Sequence, residues 1–209
     1  MEEKYNINQT TLKIINSYSN NYRQSLHLRE LARAVQIDAK AVGLQLKRLE
    51  DVNILASVTK GRNLDYHLNL ENGVVKYYII IAEIFSSIRL IESRFIIKKL
   101  INDLSKQVDG SIILFGSFAK GKETKNSDID IMVLAENAHL YSSQLFRAKV
   151  SGIGTGIDRE INIKSIDRDG LAQGLQKRDP LISEVLDNHI LLKGAEDFCD
   201  ILWDYYGGR

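Results

Sequence analysis

The sequence of 209 residues has one cysteine, one proline and almost no net charge. The single Cys199 excludes an internal disulfide and any multi-cysteine zinc site, which leaves it a small core residue. The four histidines are scattered without ligand spacing, and His189 reads as structural. One proline, Pro180, argues against long disordered linkers. With 28 basic and 27 acidic side chains, the chain lacks the excess charge of a protein that coats nucleic acid or an anionic membrane. Any nucleic-acid contact must come from a local patch. Long apolar runs are missing as well: the most apolar stretch, YYIIIAEIF, is short and contains Glu83. The opening MEEKYNIN has no apolar stretch of the kind a secretory signal needs. A cytoplasmic protein without membrane contact is expected.

What is present fits an ordinary folded chain, 44% hydrophobic and 26% charged. Its length suits two small domains. Residues 8–70 read as three short helices followed by a hairpin. Leu12, Ile14 and Ile15 can face a core in the first helix, and Leu28, Leu31 and Val35 recur at helical spacing in the second. Asp38 is an N-cap candidate for a third helix, AKAVGLQLKRLEDVN, whose buried stripe is Val42, Leu46 and Leu49. That stripe leaves Lys40, Gln45, Lys47 and Arg48 on other faces. Two strands then flank Lys60-Gly61-Arg62-Asn63, and Leu64, Tyr66, Leu68 and Leu70 alternate in the second arm.

The order helix, helix, turn, helix, basic hairpin resembles the winged helix-turn-helix family over residues 1–72. That resemblance implies double-stranded DNA as a partner and a role in transcription regulation. Phosphate contacts supply most of the affinity of such modules, and a few recognition-helix side chains read base edges. Here the contacts would come from Lys40, Gln45, Lys47 and Arg48, with Lys60 and Arg62 at the wing. Residues 1–72 carry ten basic and eight acidic side chains, a weak electrostatic footprint. The competing reading is an exposed, solvated helix that mediates protein contacts.

Residues 73–106 form the linking segment. Val75, Tyr78, Ile79, Ala82, Phe85, Ile88, Ile91, Phe95 and Leu100 recur at roughly helical intervals, predicting one long helix or two with a break near Ser86-Ser87. Such a stripe either packs within its own chain or forms a homodimer contact.

The chemistry sits in SIILFGSFAKGKETKNSDIDIMVL, residues 111–134. A uniformly apolar strand, Ile112 to Phe115, ends at Gly116-Ser117. Gly116 permits close approach of the backbone to a ligand, while the Ser117 hydroxyl and the amides that follow can receive phosphate oxygens. The second strand alternates Asp128, Ile129, Asp130, Ile131, so both aspartates share one face and both isoleucines turn to the core. Two carboxylates about 7 Å apart along a strand repel unless a cation sits between them. Magnesium or manganese, held by these carboxylates, substrate phosphates and water, is the economical account.

These residues resemble the signature of the DNA polymerase beta type nucleotidyltransferase superfamily, in its minimal branch. The resemblance implies transfer of a nucleoside monophosphate from ATP or another nucleoside triphosphate to an acceptor, a protein or RNA among the candidates, with Asp128 and Asp130 catalytic and metal-binding. Gly116, Ser117 and Lys120 would bind the nucleotide; Lys122 and Lys125 read as surface lysines. The predicted fold is α+β / α/β in two domains: the winged helix-turn-helix module, the linking helix, and residues 107–209 as a nucleotidyltransferase-fold domain with a small mixed sheet flanked by helices.

Active members of that superfamily add a third carboxylate from a later strand. The candidate strand here, REINIKSI, faces Glu160, Asn162 and Lys164 away from Ile161 and Ile163, so Asn162 stands where the third acid would align and Glu160 is the substitute on the same face. The amide carbonyl can ligate a cation but carries no charge. Two readings follow: an enzyme, or an inactive domain that senses nucleotide or mediates interactions on a DNA-binding regulator. The glycines at 152, 154 and 156 lack phosphate-loop spacing and read as a loop beside the site. The remainder reads as a helix, a break at Asp179-Pro180, a helix, a short strand at Ile190 to Leu192 and a closing helix.

Overall fold

A computed structural model describes residues 7–61 and 63–208. The chain divides into two compact units, Met1–Ala82 with Leu202–Arg209, and Glu83–Ile201.

In the first unit, helix α1 (Gln9–Asn16) starts where Asn8 and Thr11 cap each other: Asn8 Oδ1 accepts the Thr11 amide at 3.0 Å and Thr11 Oγ1 accepts the Asn8 amide at 3.4 Å. Strand β1 (Leu26–His27) leads into α2 (Leu28–Val35), where His27 and Glu30 form the same reciprocal cap. Asp38 starts α3 (Ala39–Asp51) by accepting the amides of Lys40 and Ala41. Strands β2 (Leu55–Lys60) and β3 (Asn63–Leu68) pair antiparallel with Lys60 opposite Asn63, and β1 joins the far side of β3. The turn between β2 and β3 contains Gly61 at φ +63°, which glycine adopts without steric cost. Ile14, Ile15, Leu31, Val42, Leu46 and Leu49 are buried, as the helical spacing predicts.

Where the sequence set off 73–106 as a linking helix, the polypeptide forms α4 (Val74–Ser93) and α5 (Phe95–Leu104). The break falls at Arg94, whose backbone is extended, and not at Ser86-Ser87; Ser87 is buried inside α4. Ile97, Leu100 and Leu104 of α5 belong to the core of the second unit, so this part of the segment is domain, not linker. The unit boundary lies within α4.

The second unit continues with β4 (Ser111–Phe115), α6 (Gly116–Ala119), β5 (Ile129–Leu134), α7 (Ala138–Tyr141), α8 (Gln144–Ile157), β6 (Ile161–Ile166), α9 (Arg168–Lys177), α10 (Pro180–Asp187), β7 (Ile190–Lys193) and α11 (Ala195–Tyr206), the last helix ending in the first unit. The sheet order is β6-β5-β4-β7. β4 pairs antiparallel with β5 and β7, whereas β5 and β6 are parallel and joined through α7 and α8, a crossover that parallel strands require. The sheet is therefore mixed, as expected. Ile112, Leu114, Ile129, Ile131 and Val133 are fully buried against α5 and α8 residues such as Leu100, Phe146 and Val150.

The glycines expected in a loop instead lie inside α8. Its buried face takes in Phe146, Val150 and Gly154, and a Cβ on Gly154 would stand 2.4 Å from the Arg159 carbonyl oxygen. Gly154 thus lets the chain fold back tightly over the end of α8. Pro180 occupies the first turn of α10 with Asp179 as N-cap. Cys199 is buried and forms no disulfide. Among the described residues no helix is long and apolar enough to cross a membrane.

Candidate functional site

β4 delivers the chain to Gly116, and its last residue, Phe115, lies opposite Asp130 on β5. Gly116 has φ +69°, and a Cβ there would come within 2.3 Å of Asp130 Oδ2. Glycine is required twice over, by the left-handed backbone and by the carboxylate against it. Ser117 follows on the single turn of α6, and Lys120 closes that turn with its ammonium 3.1 Å from Glu184 Oε1. Lys122 and Lys125 are exposed.

Alternation along β5 works as the sequence implies. Ile129 and Ile131 are fully buried, Asp130 is half-buried, and Asp128 is exposed immediately before the strand. The parallel register sets Asn162 of β6 beside Asp130. Asn162 Nδ2 donates to Asp130 Oδ1 at 3.3 Å and to Asp128 Oδ2 at 3.4 Å, bridging the two carboxylates with long, weak bonds. Glu160, exposed and just ahead of β6, is held at its backbone, where its carbonyl accepts the Ile129 amide.

Burial pushes the Asp130 carboxyl above the usual carboxylate range; the charges of Asp128 and Glu184 push the same way, and the Asn162 hydrogen bond and Lys120 oppose them. An ionised Asp130 is therefore destabilised in this setting. The described residues contain no group of three or more His, Cys, Asp or Glu arranged to hold a metal ion. Two carboxylates and the Asn162 amide, whose oxygen faces them if the amide is turned over, suit a single magnesium or manganese ion completed by phosphates and water, but not a closed protein cage.

An open cleft of about 1170 Å³ extends from Asp130 and Asn162 along β6 to the end of α8. Arg147, Arg159, Lys164 and Glu184 line it, whereas Gly116, Ser117, Lys120 and Asp128 are not among its lining residues. Sequence reasoning placed Lys164 on the face of Asn162 without giving it a role, and missed Arg147, Arg159 and Glu184. Lys164 was legible from strand alternation, being in phase with Asn162; Glu184 and Arg147 sit on helices with no motif to mark them. Arg159 also donates to the Lys125 carbonyl, tying the spacer after Gly116-Ser117 to the approach to β6.

His189 is structural, as expected. It is buried, its Nδ1 lies 3.2 Å from the Val185 carbonyl oxygen, and its Nε2 stands 3.4 Å from the buried Glu83. Burial pushes its pKa down, but the Glu83 charge and the surrounding hydrogen bonds outweigh burial and hold it above the ordinary value.

In the first unit Lys40, Lys47 and Arg48 are exposed on α3. Gln45 is not on that surface. It is buried, donates to Thr11 Oγ1 at 2.8 Å and accepts from Asn8 Nδ2 at 3.4 Å, so it ties α3 to the start of α1 and cannot read a ligand. Leu44 takes the exposed position between the cations. Lys60 pairs with Asp65 at 2.9 Å across the hairpin, and Arg62 lies outside the described residues.

Residues 97–183 match the family model described as nucleotidyltransferase domain. The matched span contains Gly116, Ser117, Asp128, Asp130 and Asn162. No curated protein matches the chain. Among solved structures the chain is similar to one described as a toxin-antitoxin with AMP-PNP, at 22% identity over 52% of this chain and 82% of that one, with a TM-score of 0.39.

Proposed function

We propose that the second unit binds a magnesium-nucleoside triphosphate at Asp128 and Asp130 and transfers its nucleoside monophosphate to a hydroxyl acceptor on protein or RNA. The observation that carries this reading is the packing of Gly116 against Asp130 in a segment of nucleotidyltransferase type, with a cleft beside it large enough for a nucleotide and an acceptor. Asp128, Asp130 and the Asn162 carbonyl would hold the cation, which when bound neutralises the triphosphate and lowers the pKa of the attacking hydroxyl. The acceptor oxygen gives up its proton to solvent and bonds to the α-phosphorus, the bond to the bridging oxygen of the β-phosphate breaks, and pyrophosphate leaves. Ser117 and Lys120 orient the phosphates; Lys120 must first exchange Glu184 for them. Arg147, Arg159 and Lys164 lie along the cleft, on the path of the acceptor.

The first unit, in this proposal, is a winged helix-turn-helix that binds double-stranded DNA through Lys40, Lys47, Arg48 and Lys60, making the protein a cytoplasmic transcription regulator. Its arrangement of α1 to α3 and the β2–β3 hairpin supports that reading. Arg48→Ala should weaken binding to duplex DNA and flatten its salt dependence, measured by fluorescence anisotropy over a salt series. An unchanged slope would count against α3 as the contacting face.

Asn162 favours a second reading, a nucleotide sensor without transfer, because an amide between the aspartates lowers the charge available to a second metal. Calorimetry with magnesium-ATP, together with an Asn162→Asp variant, separates the two. If the wild type binds nucleotide without transferring and Asn162→Asp acquires transfer, the sensor reading holds. Transfer by the wild type establishes the enzyme. A lack of nucleotide binding by the wild type would overturn both.

A further inference from the structure

Strand β6 is an edge of the second unit's sheet, paired on one side only, with β5. Its register runs without a shift from Ile161 to Ile166, and the stretch INIKSI contains neither glycine nor proline. The other edge, β7, is protected: it has four residues, its register against β4 shifts, and Lys193 turns its ammonium onto the carbonyls of Ser105 and Val108. The carbonyls of Glu160 and Ile166 accept the amides of Ile129 and Ala135, so the even-numbered residues of β6 turn their backbone groups toward β5. Strand geometry then points the amide and carbonyl of Ile161 and of Ile163 out of the sheet edge. Among the described residues no hydrogen bond reaches them. The open cleft meets Ile161, Asn162, Ile163 and Lys164 in succession. Neighbouring side chains of a strand leave on opposite faces, so a cleft that meets all four runs along the edge itself and not over one face.

We infer that the acceptor is a protein, held as an extended peptide segment that adds to the free edge of β6 as a fifth strand and carries its hydroxyl residue to the Asp130 face. The role of that hydroxyl rests on the nucleotidyl-transfer reading of Asp128 and Asp130. In such strand addition the main-chain bonds supply affinity and alternate side chains supply specificity. A peptide residue paired opposite Asn162 shares its face, and so stands in line with Asn162 and Asp130. Two residues along, the next side chain on that face meets Lys164, which is exposed and forms no ion pair with a described residue. An acidic residue two positions from the hydroxyl complements that charge. The cleft does not suit an RNA strand. Its three cationic lining side chains are offset by four acidic ones, and Phe115 is the one aromatic among its lining residues, whereas grooves for single-stranded RNA combine a cationic track with aromatic stacking platforms.

The test is retention of the full chain on an array of nine-residue peptides with a central serine, threonine or tyrosine, alanine and valine flanks, and a glutamate or lysine two residues to either side. Retention reads docking without transfer; label from magnesium and α-labelled ATP on the same array reads transfer. Glutamate peptides should retain the protein about two- to fivefold better than lysine peptides, and Lys164→Glu should reverse that preference. Backbone N-methylation separates strand pairing from other docking, because successive amides of an extended peptide point to opposite sides. Methyl groups on alternate amides of one parity should lower retention about tenfold, and those of the other parity should leave it unchanged. No retention, equal loss at both parities, a charge preference unaltered in Lys164→Glu, or label that enters an RNA fraction and no retained peptide would each overturn the inference. Calorimetry with magnesium-ATP distinguishes the two failures. A protein that binds magnesium-ATP but no peptide overturns the strand docking alone, and one that shows the parity pattern without binding magnesium-ATP overturns the nucleotide reading alone.

Discussion

Replacing Gly116 by alanine tests the centre of the site through two separable effects. Its φ of +69° is a left-handed conformation, which costs an L-residue about 1–3 kcal/mol. For a chain of this size each kcal/mol lowers the melting temperature by roughly 2–4 °C, so Gly116→Ala should lose about 2–12 °C. The second effect is local. The new Cβ would lie 2.3 Å from Asp130 Oδ2, and restoring ordinary contact displaces the carboxylate by about 1 Å from its place beside Asn162. Nucleotide affinity should therefore fall more than tenfold, beyond what the stability change implies. Gly121→Ala supplies the comparison, because Gly121 also has a positive φ, +62°, but nothing lies within 4 Å of its would-be Cβ. It should share the backbone cost and keep magnesium-ATP binding. Thermal melts and calorimetry on the three proteins give both readouts. If Gly116→Ala binds nucleotide as the wild type does, the packing of Gly116 on Asp130 does not govern the site.

Two further predictions follow from buried polar groups. The pKa of His189 is raised in the folded protein, so its contribution to stability is complete below its unfolded value of about 6.5 and is lost as pH rises through the folded value. Glu83→Gln should lower stability by about 3–5 kcal/mol at acidic pH and flatten that dependence, measured as melting temperature against pH; an identical slope would show that Glu83 does not hold the imidazolium. Gln45→Ala should cost about 1–3 kcal/mol through loss of its buried bond to Thr11, while the DNA affinity of the folded protein stays unchanged. A loss of DNA affinity without loss of stability would return Gln45 to the contact surface.

Most of the site was legible because its logic is local. A buried strand ending in Gly116-Ser117 and the alternation of Asp128 to Ile131 fix which side chains share a face, whatever the rest of the chain does. The same period assigned Asn162 to that face, and the parallel register of β5 and β6 then brought it level with Asp130. What could not be read depends on distant partners. Gln45 shares with Lys47 and Arg48 the stretch around Leu46 and Leu49, and helical spacing alone does not reveal that Thr11 and Asn8 close over its amide. Glu184 meets Lys120 only because α10 returns to α6. The three glycines of α8 looked like a loop by composition; packing of Phe146 and Val150 and the close turn at Gly154 override their poor helix propensity. The break at Arg94 likewise escaped the pattern, because apolar residues continue in phase through Ile91 and Phe95.

The most direct test of the central claim is incubation with magnesium and α-labelled ATP in the presence of protein and RNA fractions, with the wild type beside an Asp128→Asn, Asp130→Asn double variant. Label carried to a protein or RNA acceptor by the wild type and absent with the double variant is the predicted result. Equal labelling by both proteins would mean that these aspartates do not form the catalytic site.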